Sequence, residues 1–163
     1  MSGVEERLAA LEAEVGRLAD ERAVTRLVLS YGPLVDSGSA DEVAGLWEPD
    51  GVYDVDELFM AGREQIAAMV RSTGHQDWIR GGCAHFAGPP HVTVHEDEAT
   101  AVGYTAMVVR DGERFVLRRA TANVWRLRRG PDGWRVVTRT NRLLDGRAES
   151  RALFADALGA AES

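Results

Sequence analysis

The chain has 163 residues, 19 basic and 26 acidic, giving a net charge of −7 at pH 7. That length is one domain's worth. The negative charge argues against nucleic acid or an anionic membrane surface as partner, since both attract a basic footprint.

All 19 basic residues are arginine, which excludes lysine chemistry, from Schiff bases to a phosphate-loop lysine. The single cysteine, Cys83, excludes an intrachain disulfide and a thiolate metal cluster. No secretory apolar region opens the chain, and no apolar run approaches the about 20 residues a membrane span needs. A cytoplasmic protein without a membrane partner is expected.

Val4, Leu8, Leu11, Val15 and Leu18 recur at heptad spacing. They predict an N-terminal helical arm over residues 1–19, lying on its own domain or reaching a neighbouring subunit. Residues 20–163 then form a single domain. Asp20 and Glu21 suit the first turn of a second helix, whose face is Val24, Leu27, Val28 and Tyr31 and which Pro33 ends or kinks. Asp36 falls just past that helix, facing the negative end of its dipole, where an aspartate does not stabilise the helix and reads most simply as a turn residue.

Ser39 to Glu42 is a capping box for a short helix running to about Trp47. Pro49-Asp50-Gly51 reads as a turn. Val52 to Glu57 alternates as a short strand, and Ala61-Gly62-Arg63-Glu64 opens another helix that ends at Ser72-Thr73-Gly74. His75 and Trp78 fall in the loop beyond.

From Gly82 the pattern becomes strand-like. Long segments run over residues 83–94, 99–110, 114–128 and 134–143, parted by polar turns that include Asp111-Gly112 and Gly130-Pro131-Asp132-Gly133. Residues 147–158 are helical. Helices followed by a long antiparallel meander make an α+β fold. Strands this long must coil, so a cone-shaped curved sheet packed against the N-terminal helices is predicted, enclosing a pocket. Polar and apolar residues mix on both faces of the last two strands. This fits a pocket on one side and a subunit contact on the other, with Arg118, Arg126, Arg135 and Arg139 outside, and equally a sheet with one solvated face. Asn123 beside Trp125 is the best polar candidate for the pocket.

His85 sits in the apolar run Cys83-Ala84-His85-Phe86. His91 and His95 read as exposed strand-end residues. The four histidines have no metal-ligand spacing, and no nucleotide-binding or nucleophile-elbow motif is present. Neither metal nor cofactor is expected.

The order and spacing of Asp20 to Tyr31, Val35 to Asp41, Leu46-Trp47 through Gly51, Phe59 to Gly62, Ala84-His85-Phe86 and Gly133 to Val136 resemble the SnoaL-like branch of the nuclear transport factor 2-like superfamily. The fold is similar to that of scytalone dehydratase, hexachlorocyclohexane dehydrochlorinase and ketosteroid isomerase, a cystatin-like α+β barrel. The resemblance spans nearly the whole chain. It implies a catalytic pair, Asp36 orienting His85, and a homodimer or homotrimer. Proton abstraction from carbon in a small, hydrophobic, oxygenated substrate is the implied chemistry of a dehydratase, isomerase or cyclase. Tyr31, Tyr53, Trp78, Phe86, Asn123 and Trp125 are the candidate substrate-binding residues. Two other readings stay open: a non-catalytic binding module, in which Asp36 and His85 merely satisfy each other, and a small subunit of a ring-hydroxylating oxygenase.

Overall fold

A computed structural model describes residues 3–159. Helices α1 (Gly3–Asp36) and α2 (Ala40–Gly45) precede strands β1 (Trp47–Val55) and β2 (Leu58–Ala61). Helices α3 (Arg63–Arg71) and α4 (Thr73–Gly81) follow, then β3 (Cys83–Ala87), β4 (His91–His95), β5 (Glu98–Asp111), β6 (Arg114–Gly130), β7 (Gly133–Leu143) and helix α5 (Ala148–Gly159). The strands form one seven-stranded sheet in the order β2-β1-β7-β6-β5-β3, with β4 also paired to β5. Only the β1–β7 pair is parallel. The sheet is curved and unclosed, and the expected α+β class is the observed one.

The predicted break at Asp20 is absent: α1 is a single helix that runs through Pro33 and ends at Asp36. An internal proline costs a helix about 3 kcal/mol or more. Here Val28, Tyr31, Gly32 and Val35 are buried around it, and that packing outweighs the loss. Asp20 does not cap; its carboxylate accepts from Arg129 and from the Trp134 indole at 3.1 Å, tying the middle of the helix to the β6–β7 turn. The seam from Val4 to Leu18 is solvent-exposed on the first half of α1.

Four further boundaries differ from expectation. Gly88-Pro89-Pro90 splits the predicted 83–94 strand into β3 and β4, because proline lacks the ladder N–H. Pro49-Asp50-Gly51 lies inside β1 at an irregularity of its pairing with β7. Trp47 begins β1 rather than closing α2. Residues 73–81 are helical, with Ser72 accepting from the His75 backbone N–H at their start.

The most consequential difference is a register shift. Arg126 pairs with Thr138 but Leu127 pairs with Val136, leaving Val137 as an extra residue in β7. A bulge slips the two-residue period by one. Trp134 and Val136 before it, and Arg139 and Asn141 after it, are therefore all buried. Strict alternation had placed Arg139 on an outer face; it is 1% exposed.

The core packs Val24, Val28, Tyr31 and Val35 of α1 and Ile66, Ala67 and Val70 of α3 against Trp47, Tyr53, Trp125, Leu127 and Val136 of the sheet. On the opposite face, α5 lays Leu153, Phe154 and Ala157 over Val102 and Val124.

Gly32 sets how closely α1 meets the sheet. A Cβ there would stand 2.2 Å from the backbone oxygen of His85, far inside contact distance. Gly32→Ala is predicted to force helix and strand apart and to destabilise by about 1–3 kcal/mol or more. Gly45→Ala, with nothing within 4 Å of the added carbon, is predicted to be stable or more stable. Urea-unfolding midpoints of the two variants check this.

Candidate active site

Gly32 brings the last turn of α1 against β3, and the result is a tight clamp. Asp36 Oδ2 accepts the His85 backbone N–H at 2.7 Å, and Oδ1 lies 2.6 Å from the His85 ring nitrogen Nδ1. Burial pushes the Asp36 carboxyl up, but the hydrogen bonds from the His85 ring and backbone outweigh it and hold the group below its ordinary value. An ionised carboxylate only accepts, so Nδ1 carries the hydrogen. Nε2 is engaged by no residue among those described. Asp36, Cys83 and His85 also bring potential metal-ligating atoms within 4.8 Å of one another. Burial and the Asp36 carboxylate push the Cys83 thiol up to about 11, so it is protonated at neutral pH and poor as nucleophile or ligand.

His85 opens onto a cavity of about 140 Å³, close to the about 150 Å³ of an engineered protein cavity that admits benzene. Tyr31, Tyr53, His75, Thr105, Arg119, Thr121, Arg139 and Asn141 line it together with Val55, Leu58 and three methionines, Met60, Met69 and Met107. No Asp or Glu is among the lining residues. Tyr31 Oη stands 3.4 Å from Tyr53 Oη. Burial first, then the neighbouring Tyr53, raise the Tyr31 phenol well above its ordinary value despite Arg139, so it is a neutral donor.

The sheet register builds the polar floor. Tyr53 pairs with Arg139, and Arg139 with Trp125. One row across three strands thus sets a guanidinium among aromatic rings. Its Cζ lies 4.0 Å from the ring centres of Tyr31 and Trp125 and 4.5 Å from that of Tyr53. In the next row Asn123 pairs with Asn141. Asn123 Oδ1 accepts from Arg139 Nε and Nη2 at 3.0 and 2.8 Å and from Asn141 Nδ2 at 3.0 Å. Arg139 Nη1 is buried and has no hydrogen-bond partner among the described residues, an omission that costs about 1–3 kcal/mol. Arg119 donates to Asp56 and, at 3.0 Å, to Asn141 Oδ1.

Of the residues singled out from sequence, Tyr31, Tyr53 and His85 line the cavity, and Asp36 stands behind His85. Asn123 and Trp125 are buried one layer back, holding Arg139. Trp78 and Phe86 lie outside it. Phe86 follows His85 in a strand and so takes the opposite, exposed face. Trp78 is exposed on α4, under Arg118. Sequence reasoning missed Arg139 and His75. His75, read there as a loop residue, donates through Nε2 to Val35 O at 3.0 Å and stacks on the His85 ring with centres 6.2 Å apart. Its one sequence signal was the Ser72 cap preceding it, which starts the helix that aims it inward.

The SnoaL-like domain family model matches residues 16–140. No curated protein matches the chain. Among solved structures it is similar to an NTF2-like protein with a cystatin-like fold from Novosphingobium aromaticivorans, at 42% identity and a TM-score of 0.88, over 90% of this chain and 96% of that one. It also resembles a candidate scytalone dehydratase from that organism (18% identity, TM-score 0.68, 80% and 96% coverage). A candidate aromatic ring hydroxylase, again from that organism, is alike at 21% identity and a TM-score of 0.61, with 78% and 90% coverage. At identities this low the last two likenesses are of fold alone.

The lowered Asp36 carboxyl has a consequence for stability. A group depressed by folding contributes stability that is complete above its ordinary value, 3.8, and is lost as pH falls through the lower folded value. Wild type is expected to exceed Asp36→Asn in urea midpoint at pH 7, and the difference to shrink as pH drops below 3.8. A difference that is flat with pH would contradict the clamp.

Proposed function

The chain belongs to the SnoaL-like domain family, and from that premise we propose that it is a cofactor-independent lyase or isomerase working by proton abstraction from carbon, with His85 as the base and Asp36 as the residue that orients it. The single observation carrying this is the setting of His85: it lines the cavity with Nδ1 clamped by Asp36 and Nε2 without a partner among the described residues.

Nε2 takes a proton from a carbon next to a carbonyl. The C–H bond breaks and its electron pair moves to the carbonyl oxygen as an enolate. Asp36 stabilises the imidazolium that forms and keeps its geometry. The proton is then returned, either to a leaving hydroxyl, which departs as water as the enolate collapses, or to another carbon, which completes an isomerisation. The Tyr31 and Tyr53 hydroxyls are donors suited to the developing oxyanion. A binding module whose Asp-His pair only satisfies the core needs no cavity-lining histidine with an unpartnered ring nitrogen, and this favours the catalytic reading.

Carbon-acid exchange tests the proposal without foreknowledge of the final product. Wild type in D₂O with a panel of small cyclic and acyclic carbonyl compounds is expected to wash out the α-proton NMR signal of at least one of them. His85→Ala should slow that exchange by about a hundred- to ten-thousandfold, and Asp36→Asn should slow it substantially with little effect on binding. A folded His85→Ala variant that exchanges at the wild-type rate would end the proposal.

A further inference from the structure

We propose that the cavity takes a small organic anion, about one ring in size, whose oxyanion is received by Arg139. This rests on the cavity being the functional site, as read above, and adds the charge and size of what enters it.

Arg139 is 1% exposed and, among the described residues, has no carboxylate within ion-pair distance. The other arginine lining the cavity, Arg119, is neutralised by Asp56. A guanidinium stays charged under all ordinary conditions, and a buried charge is retained only where it is paired or held by dipoles. Three aromatic rings and Asn123 Oδ1 hold this one, and none of them carries negative charge. Nε and Nη2 are both spent on Asn123, whereas Nη1 is spent on nothing. A planar guanidinium with one edge fixed and one amino group buried without a partner among the described residues is a preorganised donor for an oxyanion.

The rest of the cavity sets the size and orientation. Its about 140 Å³ admits roughly one six-membered ring. With the oxyanion at Arg139, the frame lies against Met60, Met69 and Met107 and its far carbons face His85. The same contact suits two sources of negative charge: a carboxylate already on the substrate, or an enolate or phenolate oxygen.

Benzoate, 4-nitrophenol and neutral benzamide, titrated into the full chain by calorimetry, separate the cases. At least one anion is expected to bind and benzamide to bind at least tenfold more weakly. Benzoate binding would assign a carboxylate on the substrate; 4-nitrophenol binding with benzoate excluded would assign an enolate-like oxygen. Arg139→Gln should weaken the anion by about ten- to a hundredfold. Should that variant fail to fold, wild type alone decides. At a pH where free 4-nitrophenol is mostly protonated, the bound form should show the absorption band of its anion. Equal binding of benzamide and both anions, binding of none, or bound 4-nitrophenol that stays protonated would each overturn the inference. Exchange activity in wild type without anion binding would sink this inference and leave the His85 reading standing; anion binding with unchanged exchange in His85→Ala would do the reverse.

Discussion

The structure depends on one short contact between helix and sheet. Both oxygens of Asp36 are committed to His85, one to its backbone and one to its ring. The first bond docks the last turn of α1 onto β3, so it belongs to the fold. The second fixes which nitrogen of the imidazole is free, so it belongs to the chemistry. A carboxylate at a helix C-terminus is repelled by the dipole, and here that local penalty is offset by two charge-assisted hydrogen bonds. Gly32 makes the geometry reachable, since the helix could not come within bonding distance with any side chain at that position.

The parts of this that could be read from sequence were those carried by local patterns. Turn residues at Asp111-Gly112 and Gly130 to Gly133 marked the long strands to within a few residues. The position of Asp36 at a helix end stood out as locally unfavourable, and locally unfavourable choices concentrate at functional sites. The continuity of α1 was not legible. Proline and Asp20 are valid local signals for an interruption, but tertiary burial of Val28, Tyr31 and Val35 overrides them. Arg139 was illegible for a different reason. Its face depends on one unpaired residue, Val137, and nothing in the composition of Arg135-Val136-Val137-Thr138-Arg139 says which member of the run is extra. A single such slip inverts every inside–outside assignment beyond it. The inward aim of His75 likewise required α4, which its glycine-flanked, polar sequence does not announce.

The cavity separates two kinds of function by where its residues are rooted. Asp36, His85 and His75 sit where α1, β3 and α4 converge at the edge of the sheet. Arg139, Asn123 and Asn141 sit in the central strands β6 and β7, each locked by cross-strand neighbours. The proton-handling group is therefore set by one helix–strand contact, whereas the charged floor is set by sheet register. The two sets meet at Tyr31, which α1 carries and whose ring lies 4.0 Å from the Arg139 guanidinium, so a shift of the helix reaches the floor through that one side chain.

Between them lies the wall, and its composition is informative. Of four methionines in the chain, the three beyond the first residue all line the cavity. Thioether chains are long, unbranched and polarizable, and they adapt to a guest where leucine or isoleucine would hold one shape. A rigid polar floor with an adaptable apolar wall divides recognition into charge, which is demanding, and shape, which is tolerant. A buried donor such as Arg139 Nη1 discriminates strongly, because a ligand lacking an acceptor leaves it unmet. The methionine wall discriminates weakly, since hydrophobic pockets distinguish neighbouring shapes by only about 1–3 kcal/mol. Within one fold, then, changes at Met60, Met69 and Met107 would alter which frame is accepted, while the need for an oxygen acceptor would persist as long as the bulge at Val137 keeps Arg139 inside.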